Sequence, residues 1–218
     1  MTEPSGGSDK PRRPVAVPAL ALVALTAIGV TALLGGLNEA PEAPPPKVKT
    51  GHSFDQGQFE TQFVESKVTL QRAQIGSAEN KRFLDVLFKV TNKTDETISV
   101  GHLPTDKGSG YSFGGALLKM TPEIRTKSGG RLFVTSKGAE SAQLHPGVPV
   151  TVVARYELDA AAEPPAEVTY ELGVYESVEN PLTGETSWIL PSEDDLLGKP
   201  GATEVAATVT LPVKREDA

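Results

Sequence analysis

Gly110-Tyr111-Ser112-Phe113-Gly114 is the stretch of this 218-residue chain that spells a nucleophile motif, G-x-S-x-G. In that motif a serine stands on a strained strand-to-helix turn, with a histidine within hydrogen-bond reach and an acid behind it. His145 and Asp159 are available as partners. Their order, Ser–His–Asp, is not the Ser–acid–His order of the hydrolases built on such an elbow. Gly101 to Ser109 reads as loop, where the motif needs a strand, and Pro122 soon interrupts whatever follows. A Gly- and Ser-rich loop produces the same spelling without chemistry, and that is the preferred reading. No catalytic residue is assigned.

Metal chemistry finds little support. His52, His102 and His145 are scattered, with neither an H-x-H nor an H-E-x-x-H spacing. Glu193-Asp194-Asp195 offers oxygen ligands but lacks the D-x-D-x-D-G arrangement of a calcium loop. With no cysteine in the chain, disulfides, thiolate zinc sites, iron–sulfur centres, a cysteine nucleophile and a lipid-modified Cys are excluded. There is no G-x-x-x-x-G-K-[ST] loop for nucleotide phosphates. No cofactor and no metal are therefore expected. Asn92-Lys93-Thr94 fits a glycosylation sequon, and its place in a polar turn suits turn geometry better.

Recognition residues are the remaining candidates. Trp188, the single tryptophan, stands beside Ile189 in an irregular stretch from Ser177 to Ala202. Tyr111 and Phe113 occupy a second such stretch, Gly101 to Gly115. Long loops without a role are uncommon, so these four residues are candidate partner contacts. Charge is unevenly spread. Residues 51–155 hold 13 Lys/Arg against 10 Asp/Glu, and residues 156–218 hold 3 against 14. The net charge of −7 argues against nucleic-acid binding, and the acidic second half could steer a cationic partner.

The elements that would carry these residues begin with a greasy segment. Residues 1–13 form a small, polar tail that ends in Lys10, Arg12 and Arg13. No charge follows until Glu39. As a helix, the apolar run from Val15 to Leu37 would cover roughly 34 Å at about 1.5 Å per residue, enough for a bilayer. A transmembrane helix over 14–37 is expected, with the N-terminus cytoplasmic and the remainder outside. A cleaved signal peptide is the competing reading; the run is long for one, and Leu37-Asn38-Glu39-Ala40-Pro41 offers a poor cleavage site. Ala27, Thr31 and Gly35 share a helix face and could pair two such spans as a homodimer. Residues 38–53 form a linker with Pro44-Pro45-Pro46 at its centre, an extended spacer.

From residue 54 to 215 a period of two dominates. Phe59, Thr61 and Phe63 alternate with polar residues, and Val68 and Leu70 follow. Leu84, Val86, Phe88 and Val90 share a face. Val148 to Leu158 alternates over eleven residues. Val168, Tyr170, Leu172 and Val174 form another face, and Val205, Ala207, Val209, Leu211 and Val213 a further one. Leu117 to Thr121 and Arg131 to Thr135 are weaker strands. Clear amphipathic helices are missing. The pattern predicts an all-β fold, an antiparallel sandwich.

Phe83-Leu-Asp-Val-Leu-Phe-Lys-Val-Thr-Asn-Lys-Thr-Asp-Glu96 resembles the second-strand motif of a family of bacterial extracytoplasmic immunoglobulin-like domains. Leu144-His-Pro-Gly147, followed by a long alternating strand, is similar to a turn of the same group. The resemblance spans Phe54 to Val213, except that Ser177 to Ala202 departs from the simplest pattern. It implies an immunoglobulin-like sandwich outside the cell membrane, carried by a single membrane helix, and supplies no catalytic residues. The expectation is thus a membrane-anchored, extracytoplasmic binding domain that meets the lipid bilayer through 14–37 and an envelope or membrane protein through its loops. Two alternatives stay open: an envelope serine hydrolase using Ser112, and a secreted solute-binding protein released by signal cleavage.

Overall fold

The structure is a computed structural model and describes residues 43–72, 80–103, 112–124, 130–159, 162–192 and 202–215. The chain divides into two units, Met1–Pro44 and Pro45–Ala218, and the description below concerns the second. The expected span 14–37, with Ala27, Thr31 and Gly35, lies outside the described residues. Among the described residues no helix is long and apolar enough to cross a membrane.

Fourteen strands are described, in chain order: β1 (Lys47–Val48), β2 (Ser53–Asp55), β3 (Phe59–Gln71), β4 (Lys81–Asn92), β5 (Ile98–Ser99), β6 (Leu117–Thr121), β7 (Arg131–Ser136), β8 (Ala139–Ser141), β9 (Gln143–Leu144), β10 (Pro149–Leu158), β11 (Glu167–Leu172), β12 (Glu176–Glu179), β13 (Thr186–Ile189) and β14 (Ala207–Arg215). The all-β expectation holds. Ten strands form one sheet with the path β6-β11-β14-β3-β4-β10-β7-β8, with β1 beside β14 and β2 beside β3. β12 pairs with β13, and β5 with β9, as separate two-stranded pieces.

That long sheet folds over on itself. β4 and β11 are three steps apart on the path, which in a flat sheet means about 14 Å. Yet the rings of Phe88 on β4 and Tyr170 on β11 meet at 5.8 Å. β14 makes the fold possible by serving both halves. Its residues Ala207–Pro212 pair antiparallel with β11, while Val213–Arg215 run parallel to Ser66–Val68 of β3.

The enclosed core is built on edge-to-face rings. Phe63 meets Phe88 at 5.4 Å, Phe113 meets Phe88 at 5.6 Å and Phe59 at 5.7 Å, and Phe59 meets Tyr175 at 6.0 Å. Each such pair adds about 0.5–1.5 kcal/mol beyond the area it buries. Leu84, Val86, Phe88 and Val90 are all fully buried, as the alternation requires.

A bulge explains one feature that simple alternation left open. Phe59, Thr61 and Phe63 are odd-numbered inward positions, whereas Val68 is even. The register of β3 against β4 shifts between Phe63 and Glu65, so Val64 is the extra residue and is exposed. Behind it Ser66 turns inward, fully buried, and donates its hydroxyl to the carbonyl of Pro212 at 2.9 Å. The bulge therefore keeps one long strand amphipathic, and it falls just before the segment Ser66–Val68 that pairs with β14.

Three further differences have local causes. The sheet takes in Lys47 and Val48, within the expected linker, because β14 offers them a parallel edge. Gly173 ends β11, so Val174 leaves the expected face and Tyr175 takes the buried place. The first half of the stretch Ser177 to Ala202, expected to be irregular, belongs to the β12–β13 hairpin.

Candidate functional site

The segment around Ser112 is shaped by packing. Phe113–Ala116 forms a single 3-10 turn, all four residues buried. Gly114 donates its N–H to the carbonyl of Val100 at 2.8 Å, and Gly115 donates to that of Ser112 at 2.9 Å. The Tyr175 hydroxyl also donates to the Ser112 carbonyl, at 2.8 Å. Gly101 has a φ of +74°, and any Cβ there would fall on the Ser112 hydroxyl. A Cβ on Gly114 would strike the carbonyl of His102. Two of the glycines in this region are therefore needed for close approach between segments, not for an exposed elbow.

The three residues considered for a triad are set apart by the sheet. His145 lies just before β10 and Asp159 just after it. Ten extended residues at about 3.3 Å each hold their backbones roughly 30 Å apart. No imidazole–carboxylate bond can span that distance. His145 instead shares a hydrogen bond with Thr97 Oγ1 at 3.1 Å, and the Asp159 carbonyl accepts from Arg82 at 3.1 Å. The order of these residues in the chain already spoke against an elbow; the length of β10 supplies the geometric reason.

The metal candidates are equally dispersed. Among the described residues no three His, Cys, Asp or Glu side chains gather where an ion could be held. Glu193, Asp194 and Asp195 lie outside the described residues. The sequon residue Asn92 is fully buried. Its amide donates to the carbonyls of Leu144 at 2.9 Å and Glu96 at 2.7 Å, while its oxygen accepts from the Thr94 backbone and hydroxyl. It holds the turn together and has no face left for a sugar.

The four candidate contact residues separate. Phe113 is a correction: its ring is fully buried among Phe59 and Phe88, so it cannot meet a partner. Tyr111 lies outside the described residues. Trp188 is half-buried, packed against the core and over Gly57. Ile189, its neighbour on the opposite face of the strand, is exposed.

The hairpin that carries Trp188 holds a residue that the sequence reading missed. Leu182 at its tip is 93% exposed. The tip is firmly hydrogen-bonded: Asn180 Oδ1 accepts the Leu182 N–H at 2.9 Å, Gly184 donates to the Asn180 carbonyl at 2.8 Å, and Asn180 donates to that of Glu185 at 2.8 Å. Asn180-Pro181 with Gly184 was the available turn signal. Register places Val178 and Ile189 on the same outward face. Glu176, Glu179 and Glu185 surround them, and the chain has no Lys or Arg between Arg155 and Lys199.

Comparison with known proteins gives no assignment. No family model matches the chain, and no curated protein matches it. Among solved structures it is similar to MPT63, a secreted protein from Mycobacterium tuberculosis, at 13% identity and a TM-score of 0.26, over 59% of this chain and 91% of that one.

Proposed function

We propose that the chain is a membrane-anchored interaction protein, its second unit an immunoglobulin-like β-sandwich displayed on the extracytoplasmic side and devoted to binding. The uncharged run 15–37, with Lys10, Arg12 and Arg13 before it and a proline spacer behind, supports the anchoring. A sheet folded over one core and read alternately along β4 and β10 supports the sandwich. The observation that carries the binding role is the contrast between two segments. The Ser112 segment spends its aromatic ring on the core, whereas the β12–β13 hairpin holds Leu182 in solvent on a hydrogen-bonded tip. Leu182 is joined on the same hairpin by exposed Val178 and Ile189, which share one outward face, and such a grouping of apolar side chains supports a contact surface.

Two measurements test this. Alkaline extraction of membranes should leave the full-length protein in the pellet, and protease added outside the membrane should reach the second unit; release into the supernatant overturns the anchoring. A fluorophosphonate probe should fail to label Ser112. Labelling that disappears in Ser112→Ala would replace binding by hydrolysis.

A further inference from the structure

We propose that the outer edge of β12 accepts an extended, basic peptide segment from a partner protein, which joins the hairpin as its third strand. The inference rests on the binding role argued above and names its surface and the chemistry of its partner.

The backbone sets the pattern. Asn180 donates its N–H to Glu185, so residue 180 faces β13. With a period of two, Val178 and Glu176 also face β13, and Tyr175, Ser177 and Glu179 direct their N–H and C=O groups to the other side. At Tyr175 that outer edge already takes a backbone partner, its N–H donating to the Gln56 carbonyl at 3.0 Å. One and two rungs further on, Ser177 and Glu179 have no backbone partner among the described residues. All four residues of β12 are exposed. The strand contains no Pro, no Lys and no bulge, the devices that ordinarily blunt an edge.

Charge selects the occupant. Glu176, Glu179 and Glu185 line the hairpin, and no ion pair to any of them exists among the described residues. An added strand bearing Lys or Arg at alternate positions would set one of them against Glu179 on one face and lay its apolar side chains against Val178 on the other, while Glu176 and Glu185 add a negative field that favours a basic segment. Pairing with β12 of a second copy would set acidic strand against acidic strand. An anionic lipid surface is repelled for the same reason.

The test uses the full-length protein and two fluorescent decapeptides, one alternating Lys with Val and one alternating Glu with Val. The Lys–Val peptide should bind, and binding should weaken on the order of tenfold between about 0.05 and about 0.5 M salt as the charges are screened. Hydrogen exchange at the Ser177 and Glu179 amides should slow on the order of tenfold in the complex. Ser177→Pro, which removes an outward N–H and leaves every carboxylate, should abolish binding without changing the unfolding temperature. The triple variant Glu176→Lys, Glu179→Lys, Glu185→Lys should exchange the preference to the Glu–Val peptide. Failure of the Lys–Val peptide to bind, equal binding of both peptides, or undiminished binding by folded Ser177→Pro overturns the proposal. So does a dimer joined through β12, or capture of anionic vesicles through it. Peptide binding that survives while alkaline extraction releases the protein overturns the anchoring alone; the converse overturns this inference alone.

Discussion

Arg155 on β10 grips Asp85 on β4 with both arms of its guanidinium: Nε donates to Oδ1 and Nη2 to Oδ2, each at 2.7 Å. Asp85 is only 3% exposed, although it lies on the face of the sheet turned away from the core. Thr69 donates a third bond to it at 3.0 Å, and Arg155 lies over the rings of Phe83 and Phe133. The hydrogen bond that Arg155 donates to Asp85 raises its pKa, with burial opposing.

The two halves of this pair differ in burial, so their removal should differ in cost. Arg155→Ala leaves a buried carboxylate with one hydroxyl and should cost about 3 kcal/mol or more. Asp85→Ala leaves a guanidinium that still reaches water and two aromatic faces, and should cost about 2 kcal/mol. Urea unfolding of the two single variants and the double would check the order, with the double less destabilised than the sum.

The Tyr156 and Tyr170 hydroxyls meet at 2.9 Å inside the core. Burial pushes both phenols well above their ordinary value of 10. The unfolded chain ionises them near that value while the folded chain keeps them neutral. Their stabilising contribution is therefore complete below about pH 10 and is lost as pH rises beyond it. Tyr170→Phe strands the other hydroxyl and should cost about 1–3 kcal/mol at neutral pH. The double change to Phe should cost less than the two singles together and should flatten the alkaline decline in unfolding temperature.

Gly101→Ala should destabilise the domain by about 1–3 kcal/mol, since its methyl meets Ser112 and its φ is left-handed. Adding Ser112→Gly removes the obstacle and should restore part of the loss, the backbone strain persisting. A thermal-melt cycle of the four proteins measures the coupling. Full additivity would contradict the packing described.

Asn92→Ala should cost about 2–3 kcal/mol, because the carbonyl of Leu144 loses a buried donor and the turn N–H of Thr94 loses its acceptor. The folded protein exposed to a glycosylating extract should remain unmodified at this position, as judged by intact mass. An added glycan on natively folded protein would show that the turn opens.

How much was legible followed burial. β4 and β10 were readable because each buries one face, and alternation records that. The single strand β3 was split in two by the reading, since the bulge at Val64 reverses which parity points inward and no residue type announces it. The β12–β13 hairpin buries none of its first strand, so Glu176, Ser177, Val178 and Glu179 carry no periodic signal. No residue type announces that Asp85 is buried; Arg155 and Thr69, brought alongside by pairing of β4 with β10 and β3, close over it. Phe113 sat in a glycine-rich segment whose course into the core depends on contacts distant in sequence.

β14 is the last strand described, yet it sits in the middle of the sheet path, seaming β11 to β3. During synthesis the two halves must therefore wait for Arg215 to leave the ribosome before they can close. Until then the edges of β3 and β11 that β14 joins stay unpaired, an open template for wrong pairing.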